Sequence, residues 1–258
     1  MTVAQADRSV LLTTADPDPV GTINFDSPAP VILVCEHAGR AIPRRLGDLG
    51  ISADVLNSHR GWDIGAEAVA RDVASQLDAP LILQRYSRLV IDANRPPNSP
   101  FAIPTVSDNA DIPGNRDLSE DDRQLRITSI FEPMNQRIDE LFAASPRKAA
   151  FSIHSFTPEL GGVERPWHAG FLSRKSIASS EALMNSVARS APGMLMALNQ
   201  PYRIEDDTDW FIPHHAETRN LPHCLIEIRN DQIQTPEGVA LWAGLLSEAI
   251  TDLLETLP

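Results

Sequence analysis

Four apolar runs end in residues that could do chemistry. VILVC (31–35) leads into Glu36 and His37, and RLVI (88–91) leads into Asp92, Asn94 and Arg95. AAFSI (149–153) leads into His154 and Ser155, and HCLIEIR (223–229) carries Glu227 between Ile226 and Ile228. Asp63 stands at the start of the amphipathic stretch that follows the first run. Two histidines and an acid at converging strand ends form the donor set of a divalent cation site with one position left open. A separate carboxylate beside them suits a general base. Each residue also has an ordinary reading. Asp63 suits a helix cap or first turn. His37 suits a hydrogen-bonded turn, and a lone His154 suits a satisfied core histidine. Glu227 is harder to place that way. Among apolar neighbours its charge is penalised, so it needs a partner or a raised pKa. No HExxH-type local motif occurs, so the signal rests on distant residues meeting.

Arg85, Arg88 and Arg95 fall within eleven residues of an acidic chain. Arg85 reads as surface charge. Arg88 and Arg95 flank a predicted strand, where guanidinium groups suit a two-point clamp on a carboxylate. A small acid is therefore the expected substrate.

The elements that must position these groups follow from periodicity and turn signals. Strands are predicted at 31–35, 80–84, 88–92, 149–153, 169–173 and 223–229. A helix is predicted over 61–77, with Trp62, Ala66, Val69, Val73 and Leu77 on one face. His59 and Asp63 would share that face if the helix began earlier, but Gly61 argues against a rigid pair. Ser119 can cap a long helix carrying Ile127, Phe131, Met134, Ile138 and Leu141, with a kink near Pro133. A further helix is expected over 176–190. The last starts at Thr235 and Pro236, with Val239, Trp242, Leu246, Ile250 and Leu253 on one side.

Residues 1–28, with DPDP and DSPAP, read as an irregular arm. The stretches 93–118, 155–168 and 191–222 read as loops. Loops this long inside compact domains are often functional. Strands alternating with helices predict one α/β domain over 1–258 with a largely parallel or mixed sheet. Ligands then bind beyond the carboxyl ends of the strands.

The net charge is −13, from 22 basic and 35 acidic residues, which excludes nucleic acid as a partner because that binding is led by phosphate neutralisation. No segment is apolar and long enough to span a membrane. The N-terminus lacks a basic start followed by an apolar stretch, so a cytoplasmic protein is expected. Cys35 and Cys224 sit in apolar runs and read as buried free thiols.

The motifs form an ordered series: EHAG (36–39) with Ile42 and Pro43, WDIGA (62–66), SRLVIDANRPP (87–97), IPGN (112–115), HSFTP (154–158), NQPY (199–202), HHAETRNLPH (214–223) and IEIRND (226–231). Through these, over most of 30–232, the chain resembles the N-formylglutamate amidohydrolase family, in its EHAG/WDIGA-type branch. That family is similar in fold to zinc-dependent carboxypeptidases and aspartoacylase-type deacylases. The resemblance implies a three-layer α/β/α fold with a central mixed sheet, of the zinc-dependent exopeptidase-like (phosphorylase/hydrolase-like) kind, and Zn2+ as cofactor.

Such relatives hold zinc with a histidine, an acid three residues later and a distant histidine. Here Arg40 stands three residues after His37 and cannot ligate. The resemblance thus implies His37 and His154 as ligands, with Asp63 as the acid and Glu36 in reserve. It implies Glu227 as the base and Asn94 with Arg95 as the substrate-carboxylate site, with Tyr202 as a further substrate contact. Arg88 and His215 become candidate oxyanion stabilisers, His215 on a lid loop, and His168 lies in a loop of the same kind. The activity implied is hydrolysis of a small N-acyl acidic amino acid such as N-formyl-L-glutamate, giving formate and the free amino acid. The alternatives are a carboxypeptidase-like or aspartoacylase-like hydrolase of another amide, and a non-catalytic binder of acidic amino acids.

Overall fold

In β-strands successive side chains face opposite ways, and this alternation organises the molecule. The computed structural model describes residues 9–258. Seven strands form the main sheet: β1 (Val20–Ile23), β2 (Val31–Cys35), β3 (Leu81–Gln84), β4 (Ala149–Phe156), β5 (Ala169–Leu172), β6 (Met196–Leu198) and β7 (His223–Arg229). Their order is β1-β3-β2-β4-β7-β5-β6. The neighbours β3, β2, β4 and β7 run parallel, β1 is antiparallel to β3, and β5 is antiparallel to β7.

The helices are α1 (Ala53–Asn57), α2 (Ala66–Gln76), α3 (Glu120–Arg126), α4 (Glu132–Ala144), α5 (Ile177–Ser190) and α6 (Pro236–Thr256). On one face of the sheet, α2, α5 and α6 pack on Leu33, Phe151, Ile153, Ile226 and Ile228. On the other, α4 and the wide turn Phe211–Ala216 pack on Ile32, Val34, Ala150 and Leu225. The fold is therefore the three-layer α/β/α arrangement with a mixed sheet. Among the described residues, no helix is long and apolar enough to cross a membrane.

The second face carries the chemistry. Along adjacent strands its residues read Ile32-Val34-Glu36, Ala150-Ser152-His154 and Leu225-Glu227. Val34 pairs with Ser152, and His154 pairs with Glu227. Three polar side chains thus emerge together where three parallel strands end.

Several sequence expectations change. The run 88–92 is not a strand but a turn, held by Val90 N–H on Ser87 O and by the Ser87 hydroxyl on Gly61 O. Leu89, Val90 and Ile91 are all buried there, with Ile112, Ile130 and Phe131, so three consecutive apolar residues are used without a pleat. The 1–28 arm is not wholly irregular: β1 adds an antiparallel edge strand to β3, while residues 1–8 lie outside the described residues.

The helix predicted from 61 starts at Ala66 instead, because Asp63 N–H is drawn to His37 O, 2.9 Å away. The kink near Pro133 is a widened turn at Ile127–Phe131, where Glu132 N–H bonds back five residues to Ile127 O. Proline has no N–H to continue the ordinary ladder. Two predicted loops each hold a short antiparallel ribbon, Val106–Ser107 with Ala110–Asp111, and Glu159–Leu160 with Val163–Glu164.

Arg126 ties the 88–92 turn to the body. Its guanidinium donates to Val90 O (2.9 Å), Asn115 Oδ1 (2.6 Å) and Gly114 O (3.2 Å). Burial pulls its pKa down to about 10, with no carboxylate among the described residues bonded to it. Hydrogen bonds to a charged group contribute about 1.5–3 kcal/mol each, and their loss leaves buried acceptors unpaired. Arg126→Ala is expected to lower unfolding free energy by about 3–5 kcal/mol, measured by urea denaturation.

Candidate metal centre

The sequence passes straight from β2 into the site. After Cys35 the chain turns, and Gly39 lies against the backbone of Arg85, where a Cβ would overlap the Arg85 carbonyl. Gly39 is thus needed for close approach, with its N–H on Gln84 O at 2.9 Å. This contact fixes His37 at the strand end.

Three donor atoms meet there. His37 Nδ1 is 3.1 Å from His154 Nδ1 and 3.3 Å from Asp63 Oδ2, and His154 Nδ1 is 2.9 Å from the same oxygen. All three residues are buried. Ligand atoms about 2.0–2.2 Å from a tetrahedral zinc stand roughly 3.4 Å apart, so the triangle is close to the size such an ion needs. Each imidazole turns its other nitrogen to a carboxylate. His37 Nε2–H donates to Asp92 Oδ1 at 2.7 Å. His154 Nε2 is 3.0 Å from Glu36 Oε2, an ion-pair distance without good hydrogen-bond alignment. A hydrogen held on Nε2 leaves the neutral ring's lone pair on Nδ1. Two such lone pairs and a carboxylate oxygen then face one point, an arrangement that fits a cation.

The electrostatics agree. Burial opposes charge on His154, but Glu36 and Asp63 overcome it and hold its pKa well above the usual histidine range. Burial likewise opposes ionisation of Asp63 and Asp92, yet His37 and Arg88 help hold both well below the carboxylate range.

Asp63 is braced further by Ser155 N–H at 3.2 Å and Arg88 Nη1 at 3.1 Å. Arg88 also donates to Asp92 Oδ2 through Nε (3.3 Å) and Nη2 (3.1 Å), so it spans the two acids. Glu36 is outside the triangle. It sits behind His154 and accepts the Ser152 hydroxyl at 2.6 Å. Arg40 stacks over Trp62, 4.7 Å from the ring centroid.

Glu227 projects beside His154 into a cavity of about 580 Å3. Its Oε2 is buried without a hydrogen-bond partner among the described residues. Burial pushes its pKa up to about 7, with His154 opposing and Asp63 adding to the rise. A carboxyl group with that pKa can both take and give a proton near neutrality.

The cavity also receives Arg88, Arg95 and Tyr202. Arg95 is 29% exposed and lightly held, with Nε 3.5 Å from Asp92 Oδ2 and Nη1 3.4 Å from Thr208 O. Tyr202 Oη accepts from Arg165 Nη1 at 2.8 Å.

Three expected site residues do other work. Asn94 lines the cavity, with its amide oxygen and one of its two amide hydrogens engaged within the protein. Its Oδ1 accepts Trp210 and Phe211 N–H, both at 3.1 Å, and its Nδ2 donates to Asp209 Oδ1 at 3.3 Å. It ties the 92–95 loop to the 209–211 segment and has little left for a substrate. His215 lies outside the cavity, buried between Phe142 and Phe211, with Nε2–H on Asn135 Oδ1 at 2.7 Å. The turn Phe211–Ala216 directs it into the second-face core, away from the cavity that holds Glu227. His168 accepts Leu195 N–H at 2.9 Å and also lies outside the cavity.

Sequence reasoning noted Asp92 at a run's end but gave it no role; here it orients His37. The His59–Asp63 pair stays open in the sequence, where Gly61 argues against a rigid helical pair. The residues meet across a turn, His59 Nδ1 being 3.7 Å from Asp63 Oδ1. His59 lines the cavity, and burial pulls its pKa down to about 4.

The family model for N-formylglutamate amidohydrolase matches residues 29–234. A solved gene product of Agrobacterium tumefaciens is 40% identical, with a TM-score of 0.90 over 95% of this chain and 98% of that one. N-formylglutamate amidohydrolase from Ralstonia eutropha JMP134 is 18% identical, with a TM-score of 0.70 over 93% of this chain and 97% of that one, and so shares the fold. No curated protein matches this chain.

Burial pulls the His215 pKa down to about 4. An unfolded histidine titrates near 6.5, so the folded state binds fewer protons below that pH. Stability should therefore fall as pH drops from about 6.5 towards about 4 and then stop falling on this account. Urea unfolding across that range should show His215→Gln less stable than the parent at pH 7, by about 1–3 kcal/mol, and lacking this share of acid sensitivity.

Proposed function

The chain belongs to the N-formylglutamate amidohydrolase family, and from that premise we propose that it is a divalent-metal-dependent hydrolase cutting the amide of a small N-acyl amino acid, with N-formyl-L-glutamate as the reference substrate. The observation that carries this reading is the His37–Asp63–His154 triangle beside the unpartnered Glu227 oxygen. The triangle would hold the cation, with zinc the ion its nitrogen and oxygen donors suit. A cation there lowers the pKa of water and polarises a carbonyl.

The protein's own groups do the rest. Asp92 keeps the His37 imidazole in the right tautomer, Glu36 sets a negative charge beside the second nitrogen of His154, and Arg88 holds Asp63 and Asp92 in register. Glu227 takes a proton as water adds to the acyl carbon, then delivers it to the leaving nitrogen. The amide C–N bond breaks, giving formate and the free amino acid. Arg95, whose guanidinium is only loosely held, meets the substrate's carboxylate. The unpartnered carboxylate favours catalysis over simple binding, since a binder of acids gains nothing from a buried acid with a raised pKa.

Purified protein should release formate from N-formyl-L-glutamate, lose that activity to a chelator and regain it with zinc. Glu227→Gln should keep its metal by elemental analysis while kcat/KM falls by about 10²–10⁴. Because the base must be ionised, kcat/KM of the parent should rise through a pH of about 7 and level off above it. Normal turnover by the glutamine variant would place the base elsewhere. Asp92→Asn should weaken zinc binding by about 10–100-fold in a competitive chelator titration, because His37 loses the partner that orients it.

A further inference from the structure

A second hollow of about 390 Å3 lies beside the cavity that holds Glu227. The two share His59, Arg88, Asp92, Arg95 and Tyr202 in their walls, so they lie side by side. Large apolar and aromatic side chains form part of the second hollow's wall, beside the polar Ser58, Arg60, Ser107, Asp108 and Thr157. Phe101 is 58% exposed, Val106 57%, Leu160 39% and Tyr202 38%, and all four line this groove.

These side chains come from separate segments: the 99–101 turn, the Val106–Ser107 ribbon strand, the Glu159–Leu160 ribbon strand and the loop at 202. Large apolar side chains gathered at one place beside a reaction centre mark a site for an apolar ligand group. The wall is also braced. Arg60 pins the ribbon tip through Asp108, at 2.9 Å to Oδ2 and 3.0 Å to the backbone oxygen. Arg165 holds the Tyr202 hydroxyl and stacks over its ring at 5.0 Å. Such bracing forms the groove before any ligand arrives.

Arg95 stands at the junction of the two lobes, 6.0 Å above the Phe101 ring. A carboxylate on Arg95 therefore sits next to the apolar wall. The cavity over the metal triangle takes the acyl amide.

We infer that the groove lined by Phe101, Val106, Leu160 and Tyr202 receives a large apolar or aromatic side chain of the amino acid being released. The substrate class is then N-formyl or other short N-acyl derivatives of apolar amino acids, with glutamate the poorer member. This rests on the amidohydrolase reading for the chemistry, but the groove's ligand preference can be measured without turnover.

The test compares N-formyl-L-phenylalanine with N-formyl-L-glutamate on the zinc-loaded enzyme. The phenylalanine derivative should have the higher kcat/KM. The double variant Phe101→Ser/Leu160→Ser should lower the ratio of the two kcat/KM values at least tenfold. Val163→Ser, on the same ribbon but outside the groove, should leave the ratio as it is. Calorimetric titration of Glu227→Gln with N-formyl-L-phenylalanine should show binding that weakens at least tenfold when the groove substitutions are added. If the ratio and the affinity both survive those substitutions, the groove assignment is overturned. If neither derivative is cleaved yet groove-dependent binding remains, the amidohydrolase reading fails and the groove assignment stands.

Discussion

Two imidazole nitrogens and one carboxylate oxygen point at the same place, and the rest of the site is arranged around that fact. Nitrogen and oxygen atoms brought within 2.9–3.3 Å of one another need a proton or a cation between them. Among the described residues, four carboxylates are buried in the neighbourhood, Glu36, Asp63, Asp92 and Glu227, and Arg88 is bonded to two of them. Buried charge is tolerated only when paired. A divalent cation would restore the balance, and without one a proton on His154 does part of the same work.

The fold supplies this geometry with few special devices. Strand alternation places Glu36, His154 and Glu227 on one face, and the parallel register of β2, β4 and β7 sets them side by side. His37 is one residue beyond the pleat and gains its position from the close approach of Gly39 to Arg85. Asp63 arrives from a turn that hydrogen-bonds back to His37, so two of the triangle's residues are linked through their backbones. Arg126 then fixes the turn that presents Arg88 and Asp92. Site and scaffold are therefore energetically coupled: loosening the 88–92 turn disturbs His37 through Asp92.

Much of this was legible in the residues themselves. Apolar runs ending in ionisable groups located the site, because parallel strands place their carboxyl ends together. Glu227 stood out since a lone acid in an apolar strand has no ordinary explanation. What stayed hidden depended on contacts across loops. RLVID looks like a strand because its residues are apolar, yet burial on all sides suits a turn equally well. Asn94 and His215 carry motif likeness, but their hydrogen bonds go to Trp210, Phe211 and Asn135, partners that no spacing rule connects. The choice between Asp63 and Glu36 turned on which carboxylate lies before His154 and which behind it. That is a question of depth, invisible to a pattern along the chain.

The most direct test of the central claim is anomalous diffraction at the zinc edge from crystals grown with the metal. The account expects one strong peak about 2.0–2.2 Å from His37 Nδ1, Asp63 Oδ2 and His154 Nδ1, with Glu227 close by but not bonded to it. A peak elsewhere, or no peak with the two imidazoles turned apart, would contradict it.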